Sequence, residues 1–127
     1  MVDTVVRASL FPTEDPEKVR KALLNLFPAA EVTTEEDEMI ARTKDLSRFK
    51  ELIRNHRILD STRAIMLRGA SEGTITFQLN KQAAYVGKIS FAEGRPPLGP
   101  IRVEMTVSDP KATVDDVAPS TVDGVIP

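Results

Sequence analysis

Ile101-Arg102-Val103-Glu104-Met105-Thr106-Val107 alternates apolar and polar side chains without a fault across seven residues. That period of two is the signature of a strand with one face buried and one face wet. The same pattern returns upstream, where Ile75, Phe77 and Leu79 face one way and Thr74, Thr76, Gln78 and Asn80 the other. It returns again near the start, with Val6, Ala8 and Leu10 opposite Val5, Arg7 and Ser9, and briefly where Ile89 and Phe91 alternate with Lys88 and Ser90. Clean alternation argues against a doubly wound parallel sheet, whose strands are apolar on both faces. The expected class is α+β, a two-layer arrangement with a mostly antiparallel or mixed sheet and helices packed on one face.

Helical periods fill the intervals. Asp15 reads as an N-cap with Pro16 at the first helical position, and Val19, Ala22, Leu23 and Leu26 then place one apolar stripe inward until Pro28. Residues 31–34 and 38–43 read as short strands around Glu35-Glu36-Asp37. Asp45 is placed to cap a second helix carrying Leu46, Phe49, Leu52 and Ile53 on one face. On that projection Ile58 falls on the polar side, which predicts a break near Arg57 or Ile58. A third helix over about 58–68 follows, with Gly69 as its stop. Residues 81–85 form a short connector, and Gly94 to Pro100 a rigid proline-containing one. Residues 1–107 are expected to make a single domain. Residues 108–127 show no evident period and are expected to be a flexible acidic tail.

Composition excludes several chemistries. The 127 residues include no cysteine, so disulfides, thiolate catalysis and cysteine-ligated zinc are impossible. No apolar run approaches the roughly 18 residues of a membrane span, and Met-Val-Asp-Thr lacks the features of a secretory leader. A cytoplasmic protein with no membrane partner is expected. His56 is the single histidine, and with Asp60 one turn on it suggests a base dyad; a half-buried structural histidine explains it as well. Glu35 to Glu38 lacks the ligand spacing of a calcium loop and reads as a solvated turn. The glycines form no phosphate loop. No catalytic site, metal or cofactor is expected.

Charge is where function becomes legible. The net charge of −2 conceals strong segregation: residues 1–41 hold four basic and nine acidic side chains, residues 42–68 eight basic and three acidic. Lys50, Arg54 and Arg57 recur at i, i+4 and i+7 on one helix flank, and Arg48, Arg63 and Arg68 extend the stripe. Such a surface suits phosphates. Asn80, Lys81 and Gln82 add groups able to reach bases or sugar hydroxyls. The wet sheet face offers no aromatic on which bases would stack. The reading is a non-catalytic domain binding structured RNA through Lys50, Arg54, Arg57, Arg63, Arg68, Asn80, Lys81 and Gln82. The alternative is a protein-interaction module, self-associating as a homodimer through its opposed charges.

Three stretches carry a family likeness: His56-Arg57-Ile58-Leu59-Asp60-Ser61-Thr62-Arg63, Phe77-Gln78-Leu79-Asn80-Lys81-Gln82-Ala83-Ala84, and Pro97-Leu98-Gly99-Pro100-Ile101. With Pro12-Thr13-Glu14-Asp15-Pro16-Glu17-Lys18-Val19, they resemble the archaeal uncharacterised protein family 0201 over about residues 3–107. The resemblance implies an RNA-binding role, association with the exosome or another RNA-processing complex, and a fold similar to the ribosomal large-subunit protein that contacts the smallest ribosomal RNA.

Overall fold

The computed structural model describes residues 3–92 and 99–121. In chain order its elements are β1 (Asp3–Ser9), α1 (Pro16–Leu26), β2 (Glu31–Thr34), β3 (Glu38–Thr43), α2 (Ser47–Asn55) and α3 (Leu59–Arg68). There follow β4 (Ala70–Ser71), β5 (Thr74–Leu79), α4 (Lys81–Tyr85), β6 (Ile101–Thr106) and α5 (Pro110–Val117). The strands form one sheet in the order β2-β3-β1-β6-β5-β4. Each adjacent pair is antiparallel, so the sheet is not mixed. The first and last strands pair at its centre, with Val6 opposite Val103 and Ala8 opposite Ile101.

Alternation sorts the two faces as expected. Ile101, Val103 and Met105 of β6 are fully buried while Arg102, Glu104 and Thr106 are exposed. Against the buried face pack Val19, Ala22, Leu23 and Leu26 of α1, Phe49 and Ile53 of α2, and Met66 of α3. Phe27, Phe49 and Phe77 stack in sequence, with ring centroids 5.6 and 5.9 Å apart, joining the ends of the helical layer to the sheet. Burying a large side chain contributes about 1.5–3 kcal/mol, so this aromatic run is a major cohesive element.

Local signals act where the sequence puts them. Asp15 accepts from Glu17 N at 2.9 Å with Pro16 behind it. Asp45 accepts from Ser47 N, the first residue of α2, at 2.8 Å and so caps the helix from one position before its N-cap residue, Leu46. Between α2 and α3 the chain turns at Arg57, whose φ of 56° is the one left-handed value outside glycine among the described residues.

Two expectations need correction, Gly69 gains a different reason, and one connector falls outside the described residues. Gly69 does end α3, but not through a left-handed backbone: a Cβ there would stand 1.8 Å from the Thr76 carbonyl oxygen, so the close approach of β5 demands glycine. The alternation over 88–91 makes no strand; Phe91 forms an isolated bridge to Leu79. The connector expected over 94–100 lies outside the described residues except for Gly99 and Pro100. Residues 110–117, expected to be tail, form α5 instead. Asp109 caps it by accepting from Ala112 N at 3.2 Å, Pro110 occupies its first turn, and Val114, Val117 and Ala118 are buried. Its three apolar positions at i, i+3 and i+4 bury a narrow stripe against α3 and β4.

Two substitutions test this packing in urea melts. Val114→Ala is expected to lower stability by about 2 kcal/mol, the loss of two buried carbons and an incompletely closed cavity. Gly69→Ala is expected to cost more than that, because its clash is with backbone. A tail without structural weight would leave the Val114→Ala midpoint unchanged.

Candidate nucleic-acid interface

The structure divides the basic segment rather than leaving it whole. Lys50 Nζ lies 2.6 Å from Asp116 Oδ2, and Arg63 Nη1 lies 2.7 Å from Asp115 Oδ1. Arg63 also donates to the Ala118 carbonyl at 3.3 Å. Thus α5 lays two consecutive carboxylates along α2 and α3. The hydrogen bonds from Arg63 and then Lys111 hold the Asp115 carboxyl below the usual range. Arg48 is paired with Glu51 on its own helix. The carboxylates that meet Lys50 and Arg63 come from the C-terminal helix, whereas the acidic first third supplies Asp3 to Lys44 at 3.7 Å.

Arg54, Arg57 and Arg68 are exposed and, among the described residues, make no ion pair. Arg54 and Arg57 stand at the α2–α3 corner beside His56, which is also exposed. His56 is therefore not the half-buried structural histidine that was expected, and among the described residues the alternative dyad with Asp60 does not form either. Asp60 instead accepts from Thr121 Oγ1, 2.8 Å from both carboxylate oxygens.

The amide-and-lysine connector behaves differently from the expectation. Lys81 is buried, its side chain 1% exposed, and donates to the Ser9 carbonyl at 2.7 Å and to Glu14 at 3.0 and 3.2 Å. Its ammonium also sits 5.5 Å from the centre of the Phe11 ring. It has no face to offer a phosphate. Asn80 spends its side-chain oxygen capping α4 through Ala83 N at 2.9 Å, whereas Gln82 is exposed. The structure therefore brings Arg54 and Arg57 together, and separates both from Lys81.

Glu14 and Tyr85 are the residues the sequence did not single out. The Glu14 carboxylate accepts from Phe11 N at 3.1 Å, from Lys81, and from the Tyr85 hydroxyl at 3.0 Å. Asn25 fastens the far end of α4 by donating to the Ala84 carbonyl at 2.9 Å. Burial alone pushes the Glu14 carboxyl up, but the bonds from Phe11, Lys81 and Tyr85 together outweigh it and leave the group below its ordinary value. Burial and then the Glu14 hydrogen bond push the Tyr85 hydroxyl up to about 12. The Pro12–Val19 and Phe77–Ala84 stretches, distant in sequence, thus meet through one buried network.

These features define an α+β domain whose residues 4–107 match a family model described as RNA binding. The chain is 42% identical to the UPF0201 protein of Methanopyrus kandleri, spanning 98% of this chain and 89% of that one. It is 40% identical to a UPF0200/UPF0201 protein of Archaeoglobus fulgidus across 97% of this chain, but accounts for 39% of that relative's length. The crystal structure of the UPF0201 protein from Methanococcus jannaschii is similar throughout, with a TM-score of 0.91 at 37% identity and 98% of each chain covered. The chain belongs to the UPF0201 family. Among the described residues no helix is long and apolar enough to cross a membrane.

The buried network sets a pH window from both sides. Glu14 has a lowered folded pKa, so its contribution is complete above its ordinary value of 4.5 and lost as pH falls through the folded value. Tyr85 has a raised one, so its contribution is complete below its ordinary 10.0 and lost as pH rises toward about 12. Tyr85→Phe is expected to lower stability by about 2 kcal/mol at neutral pH, the worth of a hydrogen bond to a charged acceptor. It should also remove the alkaline loss between those two values. Denaturant melts from pH 3 to 12 measure both; an unchanged alkaline limb in Tyr85→Phe would contradict the assignment.

Proposed function

We propose that this chain is a non-catalytic domain that binds structured RNA at the α2–α3 corner, as part of an RNA-processing assembly. The observation that carries the reading is the state of Arg57. A non-glycine residue in the left-handed region is strained by about 1–2 kcal/mol, and a bulky arginine there is unusual. Arg57 is exposed, as is Arg54 one turn before it, and neither is engaged by a carboxylate among the described residues. The RNA-binding family model supports the same class of ligand. Contact would be with phosphates, through the bidentate geometry of two guanidinium groups. Lys50 and Arg63 lie along the same face but are shared with Asp116 and Asp115.

Titration against a structured RNA over a range of salt tests this. The double variant Arg54→Ala/Arg57→Ala should bind about tenfold more weakly at moderate salt. The slope of log affinity against log salt should fall by roughly 1.5, about 0.7–0.9 per lost phosphate contact. Equal binding by wild type and double variant would overturn the surface. Arg57→Gly separates function from folding: RNA affinity should drop while stability holds or rises by up to about 1 kcal/mol, because relief of strain is opposed by glycine entropy. Asp115→Asn/Asp116→Asn should strengthen binding severalfold by releasing Lys50 and Arg63 toward the ligand.

A further inference from the structure

The face of the sheet turned away from the helices has its own cationic feature. In the β1–β6 register Arg7 stands directly opposite Arg102, and the next strands continue the row as Gln78 beside Arg102 and Ile40 beside Arg7. Directly opposed cross-strand residues have Cβ atoms about 4.5–5.5 Å apart. Like charges directly opposite one another destabilise a strand pair, so the fold gains nothing from the pairing itself. Arg7 is partly relieved by Glu38, with Nη1 3.1 Å from Oε1, in an exposed ion pair. Such pairs contribute little and exchange readily. Arg102 is exposed and forms no ion pair among the described residues, although Glu104 follows it along β6 on the same face.

A depression of about 170 Å³ lies between them, lined by Arg7, Ser9, Glu38, Pro100 and Arg102. Pro100 forms one side of it, following Gly99, whose φ of +75° lies in the left-handed region. The cavity holds a few waters or one tetrahedral oxyanion. Both arginines line it, each able to offer a fork of N–H donors, together with Ser9 and the Glu38 carboxylate that pairs with Arg7.

We propose that Arg7 and Arg102 form a phosphate-binding site on the open face of the sheet, opposite the helical layer and separate from the α2–α3 corner. The ligand class is a phosphate group, carried by a mononucleotide or by a nucleic-acid strand. Among the described residues no aromatic side chain stands in the Arg7–Arg102–Gln78 row itself, and the exposed Phe11 lies beyond Ser9 near Gly99, so the arginines provide for the phosphate. An entering phosphate draws Arg7 from Glu38 and gives both arginines a shared counter-charge.

The arginine Nε–Hε signals of the whole protein read this directly. Inorganic phosphate at millimolar concentration should shift the Arg7 and Arg102 signals saturably, beyond any effect of chloride at equal ionic strength. Arg102→Gln should weaken that binding about tenfold and raise the melting temperature, because the like-charge pair is gone. Arg54→Ala/Arg57→Ala should leave it intact, which keeps the two sites distinguishable. A 5′-phosphorylated oligonucleotide that outcompetes its 5′-hydroxyl twin assigns the site to a terminal phosphate; equal binding assigns it to the backbone. A 5′-mononucleotide that binds like the phosphorylated strand identifies the free nucleotide as sufficient. Signals that respond to chloride as to phosphate, or an Arg102→Gln variant that binds like wild type, would overturn the site.

Discussion

A cation removed from water must find an acceptor, and Lys81 shows how strongly that rule shapes this molecule. Its ammonium is almost wholly enclosed, so Glu14, the Ser9 carbonyl and the Phe11 ring must stand where they do. Through those contacts the loop after β1 is tied to α4, and α4 to α1 through Asn25. The arrangement is costly to break from one side only, since removing the carboxylate would leave a buried charge alone. It fixes how the two halves of the chain meet at the end of the sheet.

The same rule, applied at the surface, distributes the rest of the positive charge. Lys50 and Arg63 are half-enclosed by α5 and take their partners from it, which is why the C-terminal helix is acidic on one side and apolar on the other. Arg54 and Arg57 are exposed at the α2–α3 corner and, among the described residues, make no ion pair. The functional reading follows from this division: a polyanion meets the cations that folding has not already used. Of the opposed charges that suggested self-association, Lys50 and Arg63 on the basic side are thus met by α5 within one chain.

Much of this was legible in the sequence. Asp15-Pro16 announces α1, the period of two announces β1, β5 and β6, and the misplacement of Ile58 on the α2 projection announces the turn at Arg57. What escaped was governed by distance or by brevity. Lys81 looks like a surface cation because its partner Glu14 lies 67 residues away, and nothing local records their meeting. By contrast, α5 had a readable signal. Asp109-Pro110 repeats the cap of α1, and Val114, Val117 and Ala118 have helical spacing, but a single turn and a half of apolar stripe is faint beside the prolines and aspartates around it. The strand over 88–91 failed for the opposite reason: two alternating residues have a period without having a partner strand.

At the α2–α3 corner Arg54 and Arg57 are exposed and, among the described residues, make no ion pair, and it is there that RNA is proposed to bind. Mapping backbone amide shifts during titration with a structured RNA tests it most directly, at low and then moderate salt. The account predicts that the amides of residues 54–57 respond first and most strongly, with the effect fading as salt rises. Shifts confined to other surfaces, or a corner indifferent to saturating RNA, would contradict it.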